Sequence, residues 1–78
     1  IYPNPAVDKL TVDYSVAHDG IALIELYGFD GRKYYSKEIF SKAGKETQSI
    51  DVKNFNRGIS FLKIKTANKV EIRKIILK

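Results

Sequence analysis

The chain has 78 residues, which allows one domain, and its 44% hydrophobic and 29% charged content excludes a disordered tail. It contains no cysteine, which excludes a disulfide framework and a thiolate metal site. The formal net charge of +5 admits nucleic acid, acidic lipid head groups or an acidic receptor as partners, but the Lys and Arg are scattered, as residues that solubilise sheets and guard their edges are.

Hydrophobic periodicity is two along almost the whole chain, which predicts strands. From Lys9 to Val16, Leu10, Val12, Tyr14 and Val16 share one face, and Lys9, Thr11, Asp13 and Ser15 share the other. His18-Asp19-Gly20 supplies turn residues. The next strand, Ile21 to Tyr27, sets Ala22, Ile24 and Leu26 on one face. Ile21 and Leu23 make its other face partly apolar, which predicts a central or doubly covered strand. Gly28-Phe29-Asp30-Gly31 closes a hairpin, because Asp-Gly accepts the positive φ of a tight turn.

Arg32 to Phe40 is the returning strand, and Ser41 to Gly44 a loop. Thr47 to Val52 reads as a shorter strand with Ile50 and Val52 inward. Lys53 to Gly58 is a second loop, with Phe55 placed to plug the edge of the core. Ile59 to Thr66 and Lys69 to Leu77 are the last strands, joined at Ala67-Asn68. Ile72, Ile75 and Ile76 also fit a helical spacing, but the segment is short, β-branched and uncapped, so it reads as a strand. Strands at this spacing predict an all-β fold, an antiparallel β-sandwich.

Nothing in the sequence assembles a catalytic site. His18 is the only histidine, and it lies with Asp19 in a predicted turn, without the oriented partner that a nucleophilic triad needs. Asp13, Asp19, Asp30 and Asp51 lack calcium-loop spacing. The glycines at 28 and 31 are not followed by the Lys-Ser/Thr and helix of a phosphate loop. Tyr27, Tyr34 and Tyr35 suggest a sugar-stacking platform, which would make the domain a carbohydrate-binding module of a secreted enzyme. With Arg32, Lys33 and Lys37 they also suggest a single-strand nucleic-acid surface, but the Gly-aromatic signature of an RNA-binding sheet is missing. A structural immunoglobulin-like spacer is the third reading. No enzyme, cofactor, metal or nucleic-acid partner is expected, and no membrane-spanning helix either, since no apolar run approaches ~20 residues.

Three segments stand in a fixed order: Tyr2-Pro3-Asn4-Pro5-Ala6, then Asp51 through Gly58-Ile59-Ser60-Phe61-Leu62-Lys63-Ile64, then Lys74-Ile75-Ile76-Leu77-Lys78. The Gly31-Arg32 hairpin falls between the first two. Together they resemble the C-terminal sorting domain of the type IX (Por) secretion system of Bacteroidetes, over nearly the whole chain. The resemblance implies an immunoglobulin-like sandwich of about seven strands, against the six read from the periodicity, so the fold expected is a sandwich of six to seven strands with the extra one near Tyr2 or Val7. It implies a non-catalytic signal that directs a secreted cargo through the outer-membrane translocon. The cargo would cross the periplasm and finish at the cell surface or outside the cell, after removal of the domain by a sortase-like peptidase in many members. The start at Ile1 accordingly reads as a piece of a longer protein. Ser60 departs from the family, which usually carries an aromatic there; if that aromatic serves a receptor's grip, Ser60 weakens it.

These motifs have physical readings. Pro3 and Pro5 keep the Tyr2-Pro3-Asn4-Pro5 opening extended and remove two backbone donors. Gly58 is placed for a positive φ ahead of its strand. The expected recognition residues are Gly58, Phe61, Leu62, Lys63 and Ile64, with Lys74, Ile75, Ile76 and Lys78 at the basic-apolar end. Leu62 and Ile64 should point inward, and Phe61, Lys63 and Lys65 outward. An outward Phe61 between lysines reads either as a contact point for a partner or as a half-covered sheet residue. The last strand, with Arg73, Lys74 and Lys78, offers an edge for strand addition or guards that edge against it.

Overall fold

The computed structural model describes residues 8–78. The Tyr2-Pro3-Asn4-Pro5 motif and the extra strand expected near Tyr2 or Val7 lie outside the described residues. Six strands follow one another: β1 (Lys9–Val16), β2 (Gly20–Gly28), β3 (Lys33–Ser41), β4 (Gly44–Asp51), β5 (Gly58–Thr66) and β6 (Lys69–Leu77). All pair antiparallel, in a two-stranded sheet β1-β4 and a four-stranded sheet β3-β2-β5-β6. This is the all-β, two-sheet architecture expected, and it is consistent with an immunoglobulin-like sandwich.

The alternation of apolar residues explains the two layers. Leu10, Val12, Tyr14 and Val16 of β1 and Ile50 of β4 face Ala22, Ile24 and Leu26 of β2, Leu62 and Ile64 of β5, and Ile75 and Leu77 of β6 in one buried cluster. Burying a side chain of this size contributes roughly 1.5–3 kcal/mol. A hydrogen bond of 2.8 Å between the Tyr14 and Ser41 hydroxyls crosses the core and ties β1 to β3. β2 sits between β3 and β5, the central place that its apolar residues on both faces require.

The two-stranded sheet is narrower than the sheet it covers. Along the inner side of β6 the register runs Lys69, Glu71, Arg73, Ile75, Leu77, and only the last two are buried. Where the opposing sheet ends, the chain substitutes an ionic cluster for apolar residues: Lys69 lies 3.6 Å from Glu71, and Arg73 pairs with the same carboxylate. The Arg73 guanidinium foremost, with Lys69, holds the Glu71 carboxyl below the ordinary carboxylate range.

Several strand ends shift by one residue from the sequence reading, and the largest difference is at the start of β4. The predicted loop over 41–44 shrinks to Lys42 and Ala43, because Ser41 ends β3 fully buried and Gly44 opens β4. β4 therefore starts three residues ahead of Thr47. Its opening residues Lys45 and Glu46 carry no apolar signal, and pairing with Ser15 and Tyr14 of β1 makes them a strand. Val52 lies just past β4, yet it is buried and its N–H donates to the Asp8 carbonyl at 2.9 Å.

Candidate functional site: the outer face of the four-stranded sheet

Each sheet has one face turned away from the core, and the two differ in chemistry. On the β1-β4 sheet the outward pairs are Lys9 with Asp51, Thr11 with Ser49, Asp13 with Thr47, and Ser15 with Lys45. That face is polar throughout and balanced in charge, as a sheet meeting only water is. The outward face of the four-stranded sheet carries Ile21, Leu23 and Tyr27 from β2, Phe40 from β3, Ile59 and Phe61 from β5, and Val70, Ile72 and Ile76 from β6. Phe40 is 63%, Ile72 64% and Ile21 54% exposed.

The register sets these residues in rows across the sheet. One row reads Lys33, Tyr27, Phe61, Lys74; the next Ser36, Glu25, Lys63, Ile72; the next Glu38, Leu23, Lys65, Val70. At the first row a bulge in β3 leaves Tyr34 unpaired and brings Lys33 opposite Tyr27. Lys33 Nζ then lies 2.9 Å from Glu25 and 5.9 Å from the centre of the Tyr27 ring. Glu25 is 6% exposed although it points away from the core. Hydrogen bonding to Lys33 foremost, and to Tyr27, holds its carboxyl below the ordinary range against the opposing effect of burial, and the same pair raises Lys33. Among the described residues no ion pair engages Lys63, Lys65 or Lys74. The face is thus apolar with excess positive charge.

The residues singled out in the sequence divide between the two sides. Phe61, Lys63, Lys74 and Ile76 share the outward face, with cross-strand pairs Phe61–Lys74 and Ile59–Ile76. Lys65 is outward as expected. Leu62, Ile64 and Ile75 point inward and are buried, so they hold the strands in place and are not open to a partner. Gly58 opens β5 at φ +113°, a conformation that side-chain-bearing residues rarely adopt. Lys78 follows β6 and is exposed. Ser60 is fully buried, opposite Ile75 and Gly28, and its hydroxyl has no hydrogen-bond partner. An aromatic at this position would meet the core, not a receptor on the outer face. Sequence reasoning missed Ile21, Leu23 and Phe40, Val70 and Ile72 as parts of this face. Its one signal was the double-sided apolar character of Ile21 to Tyr27.

The other candidates disperse. Tyr27 lies on the outer face beneath Lys33. Tyr35 packs against the core, and burial raises its hydroxyl pKa. Tyr34 stacks on Phe55 at 5.3 Å between ring centres, where Phe55 closes the core edge as expected. The three rings form no common platform for a sugar. The aspartates are engaged separately: Asp13 accepts from the Thr47 hydroxyl, and Asp19, Asp30 and Asp51 accept from the backbone N–H groups of Ala43, Arg32 and Lys53. Asp19 is thereby turned to the β3–β4 loop and not to His18. Among the described residues no three His, Cys, Asp or Glu gather as metal ligands, and no helix is long and apolar enough to cross a membrane.

A small two-sheet domain with one polar face and one apolar, basic face is built as an interaction module. The family model of the secretion system C-terminal sorting domain matches residues 1–78, and the chain belongs to that family. It is the C-terminal sorting signal of a type IX secretion cargo, a label for export to the cell surface or the extracellular space, and it interacts with the secretion system. Bacteroidetes and the outer membrane are consistent with the family. No curated protein and no solved structure was found to match the chain.

Proposed function

We propose that the label is read by the outer-membrane translocon through the outward residues of β5 and β6: Phe61, Lys63, Lys74, Ile76 and the terminal Lys78. The domain crosses the periplasm folded, presents this face to the translocon, and takes no catalytic part itself. A sortase-like peptidase then removes it from the cargo. The observation that supports the reading is the mismatch between the two outer faces: one is dressed for water, and the other keeps Ile72 and Phe40 about two-thirds exposed. Gly58, Leu62, Ile64 and Ile75 serve indirectly, by fixing the strand register that sets the outward residues in rows.

A reporter with an ordinary export signal, fused ahead of this chain, should reach the surface of a type IX-competent strain. Retention of that reporter in the periplasm overturns the reading. The finer test uses Phe61→Ala and Lys74→Glu in the fusion. Each should leave a folded domain and lower surface delivery several-fold. Truncation from Lys74 is less informative, because it also removes Ile75 and Leu77 from the core. The mass of the delivered reporter reports on removal: loss of the domain's 8.9 kDa supports the peptidase step, and an intact fusion excludes it.

A further inference from the structure

We infer that the recognition surface is the whole outer face of the four-stranded sheet, including its β2 and β3 half, and that its occupant is an acidic, apolar protein surface held transiently. The inference rests on the sorting reading above and names the chemistry of the partner. The apolar residues do not stop at β5 and β6: Leu23 lies opposite Lys65, and Ile21 lies opposite Phe40 at the far corner. A shallow groove lined by Ile21, Leu23, Glu38, Lys65, Thr66 and Ala67 lies at that end of the face, beside the β5–β6 hairpin.

Charge selects the occupant. Glu25 is already neutralised by Lys33, which leaves Glu38 at the β3 margin as the remaining acid. Lys63, Lys65 and Lys74 stand against it. A second copy of this chain would set these lysines against their own images, which like-charge repulsion opposes. A lipid surface fits less well than a protein. Lys63 and Lys65 lie in the interior strand β5, with Glu25 and Leu23 on one side and Ile72 and Val70 on the other. The apolar groups would therefore carry cations and a carboxylate into the acyl region with them. A flat protein surface with Asp or Glu between apolar residues answers the same rows one for one.

The size of the face sets the lifetime. Four strands about 4.8 Å apart and about nine residues long at ~3.3 Å each give an area on the order of 500 Å². An interface that buries this much on each partner falls in the weak, transient class, which suits a label that must be released.

The test is a set of variants in the natural protein that carries this chain, expressed in its type IX-competent host. The paired change Lys63→Glu with Lys65→Glu should cut surface delivery at least tenfold in a domain that still unfolds cooperatively, at a somewhat lower midpoint because the new carboxylate at 63 stands opposite Glu25. Lys63→Arg with Lys65→Arg should keep delivery within about twofold. Ile21→Ser with Phe40→Ser, far from β6, should lose delivery as well. The opposite-face pair Lys9→Glu with Lys45→Glu should match the parent. Wild-type delivery by the Lys63→Glu, Lys65→Glu protein overturns the proposal, as does equal loss in the arginine pair. Co-sedimentation of the purified parent with phosphatidylglycerol vesicles, abolished by the glutamate pair, would assign the face to a membrane and also overturn it. Removal of the whole domain separates the two readings. If its loss leaves delivery intact, the sorting reading itself fails; if its loss blocks delivery while the glutamate pair is exported, the sorting reading stands and this inference fails, together with the part assigned above to Lys63.

Discussion

The outer faces of the two sheets obey the same backbone geometry and are opposite in content. On β1 and β4 every outward position is polar and the charges cancel: Lys9 opposite Asp51, and Asp13 accepting a hydrogen bond from Thr47 at 2.9 Å. On β3, β2, β5 and β6 the outward positions mix Ile, Phe, Tyr and Leu with lysines. Alternation of period two requires only that one face be apolar. The apolar content of a second face is not needed to form the sandwich, and in a domain this small it adds an aggregation hazard. Its presence on one sheet only points to use. The inner faces, by contrast, are matched to each other, and where the narrow sheet fails to cover β6 the apolar residues give way to Lys69, Glu71 and Arg73.

The sharpest way to break this contrast lies between two adjacent residues. Leu62 is fully buried, whereas Phe61 faces outward from the neighbouring position. Leu62→Ala should cost about 2–5 kcal/mol, enough to unfold most of a domain whose total stability is on the order of a few kcal/mol. Phe61→Ala should change stability by about 1 kcal/mol or less and act on delivery instead. Urea unfolding of both variants reads the difference. Equal destabilisation would show that Phe61 belongs to the fold and not to a face kept for a partner.

Ser60 gives a smaller effect of opposite sign. Its buried hydroxyl has no partner, so Ser60→Ala should raise stability by about 1 kcal/mol, read as a higher midpoint in urea. Surface delivery should not change. A loss of delivery would show that this inward position is read after all.

The smallest effect concerns Glu25. Its pKa is lowered in the folded state, so its contribution is present above the unfolded value of about 4.3 and is lost as pH falls through the lower folded value. The partner Lys33 is raised, so its contribution is full below about 10.4 and is lost only as pH climbs through the higher folded value. Stability should therefore be flat through neutral pH and decline in acid. Glu25→Gln should shallow that acid decline without abolishing it, because Glu71 is depressed as well by Arg73. Melting temperatures between pH 7 and pH 2 check this. An unchanged acid slope would show that the ion pair on the outer face is too solvated to matter.

The sequence alone determined the strands, because their signal is local. Leu10 to Val16 and Ala22 to Leu26 alternate, Gly31 and Gly58 mark turns by their positive φ, and the ordered motifs carry the family. The inward sense of Leu62 and Ile64 was legible for the same reason. What the sequence left open is decided by which strands meet. Lys45 and Glu46 are strand residues only because β1 supplies their hydrogen bonds. Ile75 is core while Ile72 is surface, although both are isoleucines of one strand, because they fall on opposite sides of it and β1-β4 covers the end that holds Ile75. The joining of Ile21 and Phe40 to Phe61 and Lys74 in one face rests on the order β3-β2-β5-β6, which brings residues far apart in sequence into register. Period-two alternation tells a residue which side of its strand it occupies; only the stacking of sheets decides which of those sides is buried against protein and which is left exposed.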